Sequence, residues 1–246
     1  MSDLKNIDLF IPCCIDQLYP QTGFNIIKIF EKAGVTVNYN PQQICCGQVL
    51  YKSGHWDEAK QVGEKFINDF NTGRYVISPS ASCVGYIKNH YRNLFYNTGF
   101  HLEYKNLNER IVEFTDYFVN FLRITNIGAV FEHTVTYHDS CSALRECGIR
   151  EEPRILLSNV KGLTLVEMEK TERCCGFGGA FSLDFPELST AMTKQKLDAA
   201  LAAGAEYIVS TDASCLGNMQ AVIDKQKLPI KCIHIADILA NFSSVE

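Results

Sequence analysis

Two sets of four cysteines account for most of the chemistry that this sequence could perform. The tripeptide Cys-Cys-Gly occurs at residues 45–47 and again at 174–176. In each set one cysteine precedes the tripeptide, across 31 or 32 intervening residues, and another follows it after 35 or 38. Cysteine thiolates bind soft and borderline metals, so the repeated spacing indicates two copies of a four-thiolate metal site. The eight candidate ligands are Cys13, Cys45, Cys46, Cys83, Cys141, Cys174, Cys175 and Cys215.

Ordinary roles for cysteine fit this pattern less well. A buried thiol packs as a small apolar side chain, but adjacent residues of a helix or strand point in different directions, so a core gains little from two thiols in a row. The glycine that follows predicts a turn with positive φ, which would let both sulfurs reach one point. Disulfides are rare in the cytosol. Because the N-terminus has no signal-peptide pattern, we expect a cytoplasmic protein without structural disulfides.

The overall composition argues against several classes of function. Hydrophobic residues make up 46% of the 246 residues and charged residues 21%, which is typical of a globular chain with a sizeable core. The net charge of −5 and the lack of a basic run argue against nucleic acid as a partner. No segment approaches the ~18 consecutive apolar residues of a membrane span, so any membrane association would have to come through a partner.

The duplication extends beyond the cysteines to whole domains. Tyr75–Ser78, with the Ala-Ser-Cys that follows it, matches Tyr207–Ser210 and its own Ala-Ser-Cys, 132 residues further on. The segments at 115–121 and 236–242 also resemble each other, and each is predicted to close its copy as a helix. The duplication therefore predicts two domains, at residues 1–128 and 129–246, with the boundary within residues 126–132.

Predicted strands and helices alternate in both copies. Short apolar runs bounded by polar residues or proline indicate strands, and apolar residues at helical spacing indicate helices. The predicted strands are 7–11, 35–39, 75–78, 134–138, 163–168 and 207–210. The predicted helices are 21–33, 56–70, 152–159, 187–203 and 215–225. Alternation of this kind implies parallel sheets, so the expected fold class is α/β, with two tandem, pseudo-symmetric Rossmann-like domains.

This fold explains how distant cysteines could meet. Each of the eight would lie just beyond the carboxyl end of a strand, which is the edge where parallel α/β folds place their ligands. Four thiolates suit tetrahedral zinc and iron–sulfur clusters alike. Structural zinc sites usually use local pairs of ligands, whereas here the ligands of one site are spread over about 70 residues, which favours a cluster and leaves zinc as the alternative.

The cysteine pattern resembles the CCG cysteine-rich domain family, in which a cysteine, a Cys-Cys-Gly tripeptide and a closing Cys-x-x-Cys recur at these spacings. The resemblance covers the whole chain and includes the motifs His-Asp-Ser-Cys at 138–141 and Cys-Cys-Gly-Phe-Gly-Gly at 174–179. It is greatest to the stand-alone, two-repeat members that take part in lactate utilization. Other members, such as the CCG-containing component of heterodisulfide reductase, belong to systems whose chains carry further segments or ferredoxin-type cysteine runs, and this chain has no such run.

The resemblance implies a function and its partners. The chain would be the iron–sulfur electron-transfer subunit of a complex that oxidises L-lactate to pyruvate, a non-autonomous part of an oxidoreductase. The eight cysteines would hold one or two iron–sulfur clusters, of the [4Fe-4S] type. Its partners would be the other subunits of that complex, including a ferredoxin-type iron–sulfur protein.

The sequence departs from the family pattern at two positions. The first cysteine of the closing Cys-x-x-Cys is Ser80 in one copy and Asp212 in the other, so each site keeps four cysteines and not five. The non-cubane clusters associated with five cysteines are therefore in doubt, whereas a conventional four-iron cluster needs only four thiolates. Asp212 could be an oxygen ligand, a proton acceptor or the N-cap of the helix that follows.

Several other residues keep alternative interpretations. Cys14 lies beside Cys13 and could replace it as the upstream ligand, although Cys13 aligns better with Cys141. Cys147 and Cys232 have no counterpart in the other copy and are interpreted as buried thiols. His138 and Asp139 could hydrogen-bond a sulfur or relay a proton, and structural roles at a strand end are equally open. The remaining histidines show no metal-ligand spacing, and the glycines at 176–179 lack the full pattern of a nucleotide-binding loop.

Two alternative functions remain open from the residues alone. A zinc-stabilised scaffold would assemble redox partners without carrying electrons. In thiol and disulfide catalysis, as in heterodisulfide reduction, a cluster or a reactive thiolate would attack a disulfide.

Overall fold

The computed structural model of the chain describes residues 3–242. After a short 3₁₀ turn, the first repeat contains strands β1 (Asn6–Leu9), β2 (Thr36–Tyr39), β3 (Tyr75–Ser78) and β4 (Ile111–Glu113). Its helices are α1 (Cys13–Leu18), α2 (Pro20–Lys32), α3 (Gln48–Lys52), α4 (Trp56–Asp69), α5 (Ala81–Phe95), α6 (His101–Arg110) and α7 (Phe114–Asp116). A π-helical turn over Tyr117–Phe121 continues α7.

The second repeat follows the same plan. Its strands are β5 (Thr134–Tyr137), β6 (Thr164–Leu165), β7 (Tyr207–Ser210) and β8 (Lys231–His234). Its helices are α8 (Glu151–Ser158), α9 (Ala180–Asp184), α10 (Pro186–Ala202), α11 (Ala213–Gln226) and α12 (Ile235–Leu239). A π-helical turn over Ser142–Glu146 lies where the first repeat has α1.

The two sheets have the same topology. Their strand orders are β2-β1-β3-β4 and β6-β5-β7-β8, and all pairings are parallel. In each sheet the chain changes direction after the second strand, so the carboxyl ends of β1 and β3, and of β5 and β7, form a switch point of the kind where α/β folds bind ligands. The predicted fold class, two tandem Rossmann-like repeats with parallel sheets, is confirmed.

The sequence pattern placed six of the eight described strands and several of the longer helices within a few residues, but it missed α5 and α6 in the first repeat and one edge strand of each sheet. It missed β4 and β8, which are edge strands of three and four residues. It also made β6 too long, because pairing stops after Leu165 and the Met168 amide donates to the Thr136 hydroxyl instead of continuing the ladder. Met168 is nonetheless buried, which explains the apolar run that suggested a longer strand.

One apolar core is shared by the two repeats. Strands β1 and β5 both contribute buried side chains to it, and each repeat has a second core of its own, around Phe66 and Leu197 respectively. Beside the shared core, α2 packs against α12, where Thr22 and Asn25 donate hydrogen bonds of 3.0 and 2.9 Å to the Asp237 carboxylate. The shared core holds the two switch points in a fixed relation. None of the helices described is both long and apolar enough to cross a membrane.

A buried carboxyl group at the end of β4 makes stability depend on pH. Glu113 is 1% exposed, and its Oε2 accepts hydrogen bonds from the amide and hydroxyl of Thr115 and the amide of Asp116. Its Oε1 has no hydrogen-bond partner among the described residues. Burial raises the pKa of Glu113 from 4.5 to about 8, against the opposing effect of these hydrogen bonds.

We expect the free energy of unfolding to reflect this raised pKa. The unfolded chain releases the proton above pH 4.5 and the folded chain keeps it to about pH 8, so the stabilising contribution is complete below pH 4.5 and is lost as the pH rises toward 8. Glu113→Gln keeps an acceptor and has no proton to release. Urea unfolding should show the wild type losing on the order of 3 kcal/mol relative to the variant between pH 5 and pH 8. Equal pH profiles for the two proteins would contradict this assignment.

Candidate metal sites

The two Cys-Cys-Gly tripeptides adopt the same turn. Gly47 has φ of 88° and Gly176 has φ of 87°, in the region that favours glycine, and this confirms the predicted turn. In both turns the glycine amide donates a hydrogen bond to the Sγ of the first cysteine, at 3.4 Å. A Cβ on Gly176 would also lie 2.6 Å from the Ser189 carbonyl oxygen in α10. Glycine is therefore required for the backbone turn and for the close approach of the helix.

The first site lies at the switch point of the first sheet. Cys13 begins α1 just beyond β1, and its Sγ is 3.6 Å from the Sγ of Cys45. Cys83 lies in the first turn of α5, just beyond β3. With Cys46, these residues line a single pocket, so the structure brings together the four cysteines predicted for the first site. Cys14 also lines this pocket, but the contact to Cys45 is made by Cys13.

The second site repeats this arrangement at the switch point of the second sheet. Cys141, Cys174, Cys175 and Cys215 line a second pocket, with Cys215 in the first turn of α11. The Sγ atoms of Cys175 and Cys215 and a ring nitrogen of His138 lie within 4.8 Å of one another. In both sites the upstream cysteine is exposed, whereas the second cysteine of the tripeptide and the downstream cysteine are buried. Each site is therefore open to solvent on one side only.

Crowding of the thiols shifts their pKa values. The hydrogen bond to Cys45, followed by burial, raises the pKa of Cys13, and the corresponding bond to Cys174 raises that of Cys141. The pKa of Cys45 is lowered to about 3, because the thiols of Cys13 and Cys46 and the Gly47 amide donate hydrogen bonds to its sulfur. Without a cation, then, most of the neighbouring thiols are held in the neutral form. A bound metal reverses this preference, since it stabilises every thiolate that coordinates it.

The donor set fits a metal centre. Four cysteines line one pocket in each repeat, and all eleven cysteines of the chain are free thiols. Sulfur donors of this number suit Zn²⁺ or an iron–sulfur cluster. The N–H···S bonds from the turn glycines are of the kind that stabilise thiolate ligands. The residues present therefore fit the group that the cysteine pattern implies.

The two pockets adjoin and share part of their walls. Five residues line both of them, and they come from both repeats: Gln48, Val49 and Ser82 from the first, and Phe177 and Ser214 from the second. Each site is thus completed by residues of the other repeat, and two bound centres would be close neighbours. Sequence reasoning did not find Phe177 in this role, because only the packing of the two repeats reveals it.

The two positions that depart from the five-cysteine pattern lie against each other. The Asp212 carboxylate is 1% exposed and accepts hydrogen bonds from the Ser80 hydroxyl at 3.2 Å, the Ser82 amide at 2.9 Å and the Ser140 hydroxyl. Asp212 precedes α11 but makes no capping bond to that helix. It instead accepts a hydrogen bond from the first turn of α5 in the other repeat, where the helix dipole favours an anion.

Asp139 is held by an ion pair. Arg154 donates two hydrogen bonds to its carboxylate, at 2.8 and 2.9 Å, and also bonds Glu167. Burial opposes ionisation of Asp139, but the hydrogen bonds and charge of Arg154 outweigh it and hold the pKa of Asp139 below its usual value. With both oxygens occupied by Arg154, the structural role is favoured over hydrogen bonding to a sulfur.

His138 and Lys196 form a buried polar pair beneath the second site. Both are fully buried, and Lys196 donates hydrogen bonds to the carbonyl oxygens of Lys170 and Thr171. Burial, and then the charge of Lys196, lower the pKa of His138 to about 3, so its imidazole is neutral. Burial also lowers the pKa of Lys196 to about 8. Sequence reasoning missed Lys196, since a lysine in a helix is usually exposed.

The two cysteines without a counterpart lie outside the sites. Cys147 follows the second π-helical turn, and its Sγ is 3.5 Å from the Ala81 carbonyl oxygen. Cys232 lies in β8. Both are half-buried, whereas the sequence pattern predicted buried thiols. Burial raises the pKa of each, that of Cys232 to about 12, which makes them unreactive thiols.

Fold and site together define a class of protein: a two-repeat, parallel α/β chain with a cluster of four cysteines at the switch point of each sheet. The family model described as "Cysteine-rich domain", CCG, matches residues 7–88 and 135–220. The chain therefore belongs to the CCG cysteine-rich domain family.

Curated relatives match almost the whole chain. The lactate utilization protein A of Exiguobacterium sp. strain AT1b is 37% identical over 239 residues, covering 96% of this chain and 97% of the relative. That of Bacillus thuringiensis strain Al Hakam is 34% identical over 237 residues, covering 96% and 99%. A crystal structure of a hypothetical protein from Helicobacter pylori has a similar fold, with a TM-score of 0.57 at 11% identity over 96% of this chain and 48% of that one.

Proposed function

We propose that this chain is the electron-transfer subunit of a system that oxidises L-lactate to pyruvate, with a metal centre held by four cysteines in each repeat. The observation that carries the proposal is that four cysteines line a single pocket in each repeat, on Cys-Cys-Gly turns of the same conformation. The relatives of matching length are named for lactate utilization, which supplies the substrate.

The residues of the two sites would each do a defined part of this work. The eight candidate ligands are Cys13, Cys45, Cys46 and Cys83 in the first site and Cys141, Cys174, Cys175 and Cys215 in the second. The buried cysteines keep water from the inner side of each site, and the glycine amides orient the first sulfur of each tripeptide. A [4Fe-4S] cluster, when bound, supplies one-electron transfer. The shared wall, with Phe177 on it, keeps the two sites adjacent.

The same geometry supports a proposal about partners. The upstream cysteine of each site is exposed, and three apolar side chains that follow the two tripeptides in the sequence are more than half exposed: Val49, Leu183 and Phe185. Apolar surface of this kind beside a redox site suits contact with another protein. We propose that the other subunits of the system, including a ferredoxin-type iron–sulfur protein, dock there. Free thiols in such number suit the reducing cytoplasm.

A zinc-stabilised scaffold and thiol catalysis are the second candidates for the function, and one observation supports each of them. Four thiolates are also a complete ligand set for structural zinc, which would make the chain a scaffold. The lowered pKa of Cys45 would suit a nucleophilic thiolate in disulfide exchange. Iron and sulfide bound to the purified chain would exclude the zinc scaffold, and the absence of disulfide turnover by the isolated chain would exclude thiol catalysis.

Loss of the chain should abolish growth of its source organism on L-lactate as sole carbon source. We expect the wild-type chain to restore growth, the Cys46→Ser/Cys175→Ser double variant to fail, and Cys232→Ser, which changes a thiol outside both sites, to succeed. Growth on lactate without the chain, with normal growth on pyruvate in both strains, would contradict the proposed function.

A further inference from the structure

The two sites have matching cysteines, but the buried residues that lie beneath the cysteines differ between the repeats. Three residues before the upstream cysteine lies Phe10 in the first repeat and His138 in the second. Phe10 is fully buried, packs edge-on against Phe66 with ring centroids 4.7 Å apart, and belongs to the same apolar cluster as Cys46 and Cys83. An apolar ring therefore fills this position well. Packing alone does not require an imidazole there.

The neighbour of Phe10 or His138 also differs between the two repeats, from an apolar to a polar side chain. The turn glycines of the two tripeptides lie against Ala59 and Ser189, which fixes the correspondence between the helices α4 and α10. Seven residues further along, these helices carry Phe66 and Lys196. A pair of aromatic rings beneath the first site is thus replaced by an imidazole and an ammonium group beneath the second. The second repeat therefore keeps two buried polar side chains at positions that apolar rings fill in the first repeat.

His138 has unused hydrogen-bonding capacity aimed at the second site. Its side chain is fully buried, and within residues 3–242 neither ring nitrogen has a hydrogen-bond partner, although the Thr171 backbone lies nearby. One ring nitrogen lies within 4.8 Å of the Sγ atoms of both Cys175 and Cys215. A buried polar group without a partner destabilises the folded protein, so its retention calls for a ligand that satisfies it.

We infer that His138 is a nitrogen ligand of the metal centre in the second site. The second site then offers an imidazole in addition to its thiolates, whereas the first offers sulfur alone, and the two centres differ chemically. This inference rests on the proposed metal-binding function and adds a ligand to it. Imidazole nitrogen is a common ligand of both iron and zinc.

The surroundings favour coordination over the other roles of a histidine. The charge of Lys196 lies close enough to the Cys175 and Cys215 sulfurs to affect their environment, so a positive group is already present beside the thiolates. His138 is thus not needed as a cation. Its backbone amide is held by the Val209 carbonyl oxygen at 2.8 Å, which fixes the residue at the end of β5 directly below the cysteines.

Pulsed electron paramagnetic resonance tests this directly, because it measures the coupling of a metal's electron spin to nearby nitrogen. The full chain would be labelled with ¹⁵N-histidine and purified without oxygen. The spectrum would be taken on the reduced native centre if that contains iron, and on Co²⁺-substituted protein if it contains zinc. His138→Phe copies the residue of the first repeat, and Phe10→Leu serves as a matched control beneath the first site.

We expect a histidine ¹⁵N coupling of the strength of direct coordination in the wild type and in Phe10→Leu, and its loss in His138→Phe. Retention of metal by the second site against a chelator should fall about tenfold or more in His138→Phe. A strong coupling that persists in this variant, or only the weak coupling of a hydrogen bond in the wild type, would overturn the inference while leaving metal binding intact. Wild-type protein that binds no metal would instead overturn the proposed function together with the inference. Because the labelled wild type alone shows whether coordination occurs, the test does not depend on the variant folding.

Discussion

Replacing Asp212 with alanine should destabilise the folded protein by about 3 kcal/mol or more. The carboxylate is buried between the repeats and accepts hydrogen bonds from the Ser80 and Ser140 hydroxyls and the Ser82 amide. Alanine leaves the Ser140 hydroxyl and the Ser82 amide without their acceptor, and the Ser80 hydroxyl keeps only the Ser82 hydroxyl as a partner. A buried donor without an acceptor costs about 1–3 kcal/mol. Because α5 and α11 carry the downstream cysteines Cys83 and Cys215, both sites should also bind metal more weakly.

Urea unfolding of three variants beside the wild type measures this effect. Asp212→Asn keeps an oxygen that can accept from the Ser82 amide, so it should lose less than half of what Asp212→Ala loses. Ser80→Ala removes one of the three donors and should cost about 1 kcal/mol. An Asp212→Ala protein within about 0.5 kcal/mol of the wild type, which is the range of an ordinary surface substitution, would show that the carboxylate does not join the two repeats.

The position of Asp212 also bears on the kind of centre that the chain could hold. The family pattern has a fifth cysteine at this position and at Ser80, and here the two residues hydrogen-bond each other across the repeats at 3.2 Å. Both oxygens of Asp212 are occupied, which favours a structural role over metal ligation. A site of four thiolates, joined in the second repeat by His138, is the arrangement that we propose.

Much of the fold and of the cysteine framework could be predicted because both are local or repeated signals. Apolar runs of strand length predicted β3 and β7 to the residue, and the positive φ of Gly47 and Gly176 followed from the tripeptide itself. The duplication then supported the same order of strands and helices in the second copy. A pattern that occurs twice in one chain is more informative than either copy alone, because coincidence becomes improbable.

The features that could not be predicted depend on how the repeats pack. No periodicity connects Asp212 with Ser82, which lies 130 residues away in the chain, and the wall shared through Phe177 exists only once the repeats meet. Strand β4 has only three residues, and β8 (Lys231–His234) has a polar residue at each end and gives no continuous apolar run. Lys196 could have been found by aligning the repeats residue by residue, since its counterpart Phe66 is an obvious core residue.

The second large effect concerns the metal centres themselves. Cys46→Ser and Cys175→Ser each remove a buried sulfur from one site, and a serine hydroxyl is a poor ligand for a soft or borderline metal. We expect each variant to lose about half of the bound metal and the other half to remain, because the two sites have separate sets of four cysteines. Cys232→Ser, which alters a thiol in β8 away from both sites, should keep the full amount.

Analysis of iron, acid-labile sulfide and zinc in protein purified without oxygen tests the central claim most directly. We predict iron and sulfide in similar amounts in the wild type, a fall of about half in Cys46→Ser and in Cys175→Ser, and no fall in Cys232→Ser. Zinc without sulfide, or iron and sulfide that neither substitution reduces, would contradict a pair of cysteine-held electron-transfer centres in this chain.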